Sequence, residues 1–318
     1  MKARQVVVLG TGGTIAGTGT DPQQAWRYQA AQLSVEQLVQ AVPELAGVSL
    51  RCEQVAQVDS KDMAWPVWRN LAQALALELA RDEVAGVVIT HGTDTLEETA
   101  YLLHLLSDGA KPIVLTAAMR PATAPDADGP RNLRDAVKVA LWASEQGRGG
   151  VVAVMASHVW SGAHVRKMHS HVIDAFDGGG ALPLATLLPD GDVLALVEAW
   201  PDSGRLGWGC VQVPVPPRVE VVTSHADADG VMVRALWAAA PDLKGVVVAC
   251  TGHGTINAPL ERALQEMQQA GVTVWRSSRV ARGGVQPREG DEFPAVEGVT
   301  AAQARVALVL HELGARLC

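Results

Sequence analysis

Short runs of β-branched residues alternate with stretches of helical periodicity through the first half of the chain. That alternation limits the fold more than any other feature. Residues 5–9, 50–58, 86–90, 112–116 and 151–155 read as strands. Between them, Ser34-Val35-Glu36-Gln37 is a capping-box sequence opening a helix to about residue 42. Residues 64–81 carry Val67, Leu71, Leu75 and Leu79 along one helical stripe, and residues 96–106 read as a further helix. Pro130 suits the first turn of a helix running to about residue 145. Strand–helix units in such succession predict an α/β fold, a doubly wound and mostly parallel sheet with helices on both faces.

The pattern weakens between residues 189 and 217, where Pro201, Gly204, Gly207, Gly209, Pro214, Pro216 and Pro217 suggest a linker. Strands at 219–222, 245–249 and 272–275 and helices at 231–239, 259–270 and 301–313 follow. The expected organisation is a larger N-terminal domain over 1–195 carrying the chemistry, a linker over 196–217, and a smaller C-terminal α/β domain over 218–318. With 48% hydrophobic and 19% charged residues in a chain of 318, both domains can bury a core. A formal net charge of -8 argues against nucleic acid as a main partner. Cys52, Cys210, Cys250 and Cys318 are scattered and read as free thiols of a reducing compartment. No apolar run approaches a membrane span, and the first strand leaves no room for a signal-peptide core, so a cytoplasmic location is expected. A chain whose leader had been cleaved would read the same way.

Polar residues collect after the strands. Thr14 follows the first, Asp59 and Ser60 the second, Thr93 and Asp94 the third, and Ala117-Ala118-Met119-Arg120-Pro121 the fourth. A parallel sheet gathers such loops at one edge, where ligands bind. Each residue alone suits a turn or a cap; together they describe a polar pocket. The glycine turn before Thr14 is not a dinucleotide fingerprint, because Ile15 stands where the last glycine is needed. It is not a P-loop either, since no Gly-Lys-Ser/Thr follows. A threonine hydroxyl needs a base to attack at neutral pH. Thr93 and Asp94 could supply half of a relay, and a desolvated lysine is a candidate base. By spacing alone, however, Lys167 reads as a surface lysine. His158, His164, His169 and His171 cluster nearby without a zinc-site spacing or a cysteine partner, so no metal or cofactor is expected. His91 and His253 follow strands and suit structural hydrogen bonds. Residues 17–33 lack periodicity. They read as a lid, with Gly17 and Gly19 as hinge and Trp26 and Tyr28 as cover, or as a loose insertion.

These segments resemble the bacterial L-asparaginase family, including its glutaminase-asparaginase members. Thr11-Gly12-Gly13-Thr14-Ile15-Ala16-Gly17 is similar to the family's first signature, and Gly86 through Leu96, ending His91-Gly92-Thr93-Asp94-Thr95-Leu96, to its second. Asp59-Ser60-Lys61-Asp62-Met63, Ala118-Met119-Arg120-Pro121, Asp128-Gly129-Pro130 with Asn132-Leu133, and Arg276-Ser277-Ser278-Arg279-Val280 resemble further segments, so the likeness spans nearly the whole chain. The resemblance implies hydrolysis of L-asparagine to L-aspartate and ammonia through an acyl-threonine intermediate, without cofactor or metal. It implies that Thr14 attacks the side-chain amide with Tyr28 assisting its deprotonation. Thr93, Lys167 and Asp94 then activate the water that releases aspartate. Asp59, Ser60, Asp94 and Ala118 would contact substrate, as would Glu289, contributed across a dimer. It also implies a homotetramer built as a dimer of dimers.

The chain departs from the pattern at Lys61, where members often carry a glutamine near the substrate ammonium. A lysine there is expected to turn toward a carboxylate or solvent. Thr255 replaces an asparagine that reaches a neighbour's site in some members. Three other readings stay open. One is a glutaminase-asparaginase of broad amide specificity. Another is an enzyme acting on amidated tRNA, against which the missing N-terminal extension argues. The last is a non-catalytic amino-acid sensor.

Overall fold

The computed structural model describes residues 4–19 and 28–315, in two units divided between Gln212 and Val213. Trp26 and Cys318, named above, lie outside the described residues.

The first unit is built on an eight-stranded sheet. Its strands are β1 (Gln5–Gly12), β2 (Leu50–Val58), β3 (Val84–Thr90), β4 (Pro112–Thr116), β5 (Gly150–Met155), β6 (His158–Ser161), β7 (Ala185–Leu187) and β8 (Val193–Ala195). Their order across the sheet is β8-β7-β6-β5-β4-β3-β1-β2. The run from β2 to β5 is parallel, and β6, β7 and β8 add an antiparallel edge. The sheet is therefore mostly parallel and α/β, with an edge that the helix-length pattern did not signal.

Four helices cover the two faces: α1 (Val35–Gln40), α2 (Trp65–Leu79), α3 (Leu96–Leu106) and α4 (Gly129–Glu145). The period-two alternation of β1 divides them. Val6 and Val8 pack with Leu38 of α1 and Leu133 and Val137 of α4, whereas Val7 and Leu9 pack with Leu71 and Leu75 of α2 and Leu103 of α3. Leu71, Leu75 and Leu103 are fully buried, each stabilising the fold by about 1.5–3 kcal/mol before side-chain ordering is counted. The capping box of α1 forms as read, with the Ser34 hydroxyl accepting from the Gln37 amide and the Gln37 side chain accepting from the Ser34 amide. Within the stretch read as a linker, the amides of Gly204, Arg205, Leu206 and Gly207 donate to the carbonyls of His104, Ser107, Leu105 and Leu106 at the end of α3. Those backbone bonds dock residues 204–207 onto the first unit.

The second unit is a three-stranded parallel sheet, β9 (Arg218–Thr223), β10 (Leu243–Cys250) and β11 (Thr273–Ser278), in the order β9-β10-β11. Its helices are α5 (Val231–Ala239), α6 (Ala258–Gln269) and α7 (Ala301–Glu312). Val233, Leu260, Leu264 and Met267 close its core against Val246 and Val248. Among the described residues, no helix is long and apolar enough to cross a membrane.

Candidate active site

The chain runs from β1 to β2 on one side of β1 and then to β3 on the other. This reversal makes the C-terminal edge between β1 and β3 a topological switch point, where the sheet opens a crevice. The loops carrying Thr14 and Thr93 flank it, and the Ser60 loop follows β2 beside them. The loops are in contact. A Cβ at Gly13 (φ 83°) would overlap the backbone of Gly92, and a Cβ at Gly92 would overlap the Ser60 hydroxyl. Only glycine allows that approach. Thr14 itself opens a single 3₁₀ turn, Thr14–Ala16, rather than a nucleotide-binding helix.

One hydroxyl pair forms at the first loop. The side chain of Thr14 is buried, and its Oγ1 lies 2.7 Å from Tyr28 Oη. Tyr28 arrives on the short strand Tyr28–Gln29, which pairs antiparallel with Thr18–Gly19. The amide of Ala31 donates to the Gly13 carbonyl (3.0 Å) and those of Gln32 and Leu33 to the Ala16 carbonyl, so the returning chain is tied back to the Thr14 turn.

The second group forms across 74 residues of sequence. Lys167 Nζ donates to Thr93 Oγ1 at 2.9 Å and to Asp94 Oδ1 at 2.6 Å. The Lys167 side chain is only 19% exposed and that of Asp94 54% exposed. The surface-lysine reading from spacing is therefore corrected: the chain folds back through the short strand Arg166–Lys167, paired with Phe176–Asp177, and turns Nζ inward. Ser60 is buried. Its Oγ accepts from the Asp94 amide (3.2 Å), which leaves its own hydrogen to donate elsewhere, and its carbonyl accepts from Thr95 Oγ1 (2.8 Å).

The remaining candidates divide. Asp59 caps the turn Ser60–Asp62 and pairs with Lys61 Nζ at 2.7 Å. Lys61 is exposed, also contacts Asp62 at 3.1 Å, and has its pKa pushed up to about 12 by these two hydrogen-bonded carboxylates. It is turned to carboxylates and solvent. Ala118 is fully buried, in a loop anchored by Asp128, whose carboxylate accepts from the Met119 and Arg120 amides and from Asn132. Burial raises the Asp128 pKa, and the backbone donors oppose that rise. Glu289 is exposed and belongs to the second unit, where buried Arg276 ties the Gly254 and Phe293 carbonyls and the Asp291 carboxylate. Thr255 closes a turn through its hydroxyl, 2.8 Å from that of Thr251. Among the described residues, no group of three His, Cys, Asp or Glu is placed to hold a metal ion. A cavity of about 340 Å³ among Gly109, Gly149 and Trp200 opens at the opposite edge of the sheet, before β4 and β5 rather than after them.

The contacts of His91 are structural. Trp68 Nε1 donates to Thr99 Oγ1 (2.8 Å), whose hydrogen is then directed to His91 Nε2 (2.9 Å), leaving His91 Nδ1–H to donate to the Gly92 carbonyl (2.7 Å). That assignment makes the ring neutral. Full burial lowers the His91 pKa to about 4, and burial does the same at His104, helped by His164. Both values lie below the unfolded value of about 6.5. The unfolded chain therefore binds more protons in this window, so stability is complete above pH 6.5 and declines as pH falls toward 4. For His91 the loss is on the order of 3 kcal/mol. The melting temperature should fall steeply between pH 6.5 and 4, and His91→Gln should flatten that slope. A wild-type melting temperature constant over the window would show that the ring is not buried as a neutral base.

Glu97 escaped the sequence reading. Its Oε2 accepts from the Lys167 backbone amide at 2.9 Å. The only signal available was its position in the first turn of the helix that follows Asp94, a place where many carboxylates serve simply as helix-end charges.

The family model described as "Asparaginase, N-terminal" matches residues 5–198, and that described as "Glutaminase/Asparaginase C-terminal domain" matches residues 218–311. The chain belongs to the asparaginase family. A Pseudomonas fluorescens biotype A relative named "Glutaminase-asparaginase" is 36% identical over 293 residues, covering 92% of this chain and 80% of the relative. A Haemophilus influenzae relative, "Probable L-asparaginase periplasmic", is 36% identical over 282 residues, covering 87% and 78%. The solved structure named "Probable Cytoplasmic L-asparaginase from Campylobacter jejuni" superposes with a TM-score of 0.90 at 35% identity, covering 98% of this asparaginase-family chain and 95% of that one.

Proposed function

We propose that this asparaginase-family protein hydrolyses the side-chain amide of L-asparagine to L-aspartate and ammonia. The observation that carries the reading is the meeting of two hydroxyl groups' machinery at one switch point. Thr14 is bonded to Tyr28 on one loop, Thr93 to Lys167 and Asp94 on the next, and the loops touch through Gly13 and Gly92. Thr14 Oγ1 attacks the amide carbon while its proton passes to Tyr28 Oη, which gives up its own phenolic proton toward the amide nitrogen. The carbon–nitrogen bond breaks, the nitrogen takes up a proton and leaves as ammonia, and an ester to Thr14 remains. Water activated through Thr93, Lys167 and Asp94 adds to that ester, aspartate departs, and Thr14 regains its hydroxyl. Backbone amides of the strand-end loops stabilise the oxyanion of each tetrahedral species. The open Asp94 carboxylate suits the substrate ammonium, and the free O–H of Ser60 suits its carboxylate. Asp59 and Ala118 shape the wall, and the reading invokes no metal or cofactor.

A broader glutaminase-asparaginase activity is the second reading, favoured by the name of the Pseudomonas relative. One methylene in a fitted pocket changes discrimination by about 1–3 kcal/mol. Ammonia release by the purified protein should be measured with asparagine and glutamine side by side. Asparagine turnover at least about tenfold faster at equal concentration supports the first reading. Equal rates support the second, and no release from either overturns both. We assign the assembly as a homotetramer in which Glu289 reaches a neighbouring site. The native mass should then be four times the 33.4 kDa of the chain, and a monomeric mass would overturn it. The location proposed is the cytoplasm, consistent with the free thiols Cys52, Cys210 and Cys250. Recovery of the protein in a periplasmic fraction would refute it.

A further inference from the structure

We propose that Glu97 is a positioning residue that sets where the Lys167 ammonium meets Thr93, an inference that rests on the functional reading above. Lys167 reaches Thr93 from a strand of two residues, Arg166–Lys167, paired with Phe176–Asp177. So short a pair gives little independent support, and a shift of the backbone would be carried along the four-carbon side chain to Nζ. The neighbouring Met168 and Val165 amides donate to the Ala175 and Ser161 carbonyls, and Glu97 adds an anchor at Lys167 itself, accepting its amide hydrogen at 2.9 Å. It stands in the first turn of α3, the helix that begins directly after Thr93, Asp94 and their cap Thr95. One continuous segment, the Thr93 turn running into α3, therefore holds both the target of the lysine and the backbone from which the lysine extends. A carboxylate at that helix end is favoured by the helix dipole, so the anchor is itself well placed.

The carboxylate also faces the buried guanidinium of Arg166, which is balanced by Glu97 and Asp177. Hydrogen bond and charge can be separated by substitution. Glu97→Asp keeps the charge opposite Arg166 and withdraws the oxygen by one methylene from the Lys167 amide. Glu97→Gln removes the charge and keeps an acceptor at the same reach. Displacing a catalytic group by an ångström costs about 10²-fold in rate. Glu97→Asp should therefore lower kcat for asparagine by about 10–100-fold with KM changed by less than about twofold. Glu97→Gln should keep kcat within about threefold of wild type. Melting temperatures of both variants check that the fold is intact. In a Lys167→Met background Glu97→Asp should cost almost nothing further, because the group it positions is gone.

The opposite ranking, with the aspartate variant active and the glutamine variant impaired, would make charge balance the role and overturn the positioning claim. Equal activity of wild type and Glu97→Asp would overturn it as well, as would a full additional loss in the Lys167→Met background. A wild-type protein that releases no ammonia would instead remove the functional reading itself, so the two failures are distinguishable.

Discussion

Replacing Thr14 by alanine is expected to lower ammonia release from asparagine by at least about 10⁴-fold, the scale on which loss of a covalent nucleophile is felt. The substitution removes one hydroxyl from a buried position and leaves the glycine turn, the Gly92 contact and the Ser60 loop untouched. Asparagine affinity, measured by calorimetry, should therefore stay within a few-fold of wild type. The Tyr28 hydroxyl, 2.7 Å from Thr14 Oγ1, loses one partner on a residue that is only half-buried, so the melting temperature should change little. Normal turnover by Thr14→Ala would remove Thr14 as the attacking group and, with it, the acyl-threonine route.

Lys167→Met is the second large effect. Methionine keeps the apolar stem that fills the partly buried path and deletes Nζ, which holds Thr93 at 2.9 Å and Asp94 at 2.6 Å. The Asp94 side chain is half-exposed, so water can solvate the carboxylate left behind and the fold should persist. Loss of a proton-transfer group of this kind costs about 10²–10⁴ in kcat. If the lysine serves the water step, the variant should accumulate an aspartyl ester on Thr14, detectable as a mass increase on the peptide carrying it. Near-normal turnover would remove Lys167 from the mechanism. A crippled variant with no trapped ester would move its role to the first displacement.

How much of this could be read from residues alone depended on the range of the interaction. The continuous apolar run Val6–Leu9 marks a strand buried on both faces, and the stripe Leu71, Leu75, Leu79 marks a helix buried on one, because burial imposes each pattern locally. The gathering of Thr14, Ser60 and Thr93 at one edge followed from parallel connection alone. Lys167 was different. Its contact with Thr93 depends on a two-residue strand pairing, and nothing in the side-chain pattern around Val165 or Met168 reports such a pairing. The antiparallel strands His158–Ser161, Ala185–Leu187 and Val193–Ala195 are too short to carry a period. The proline- and glycine-rich stretch near Gly204 looks like a connector because its attachment to α3 runs entirely through backbone groups, to which composition is blind. Glu97 was hidden for a similar reason, since its partner is a main-chain amide.

The ladder between β1 and its neighbours has a practical corollary for how this molecule would fail. Gly10 is registered opposite both Gln54 and Thr90, three to six residues before Thr14, Ser60, Thr93 and Asp94. The spacing of those groups is thus fixed by the pairing of β1, whose residues Val6 to Leu9 are fully buried, and buried core strands are among the last parts of such a protein to open. Warming should then leave Thr14, Ser60 and Thr93 in place until cooperative melting, so a loss of activity that precedes loss of secondary structure would trace to Tyr28 or Lys167, which arrive on two-residue strands.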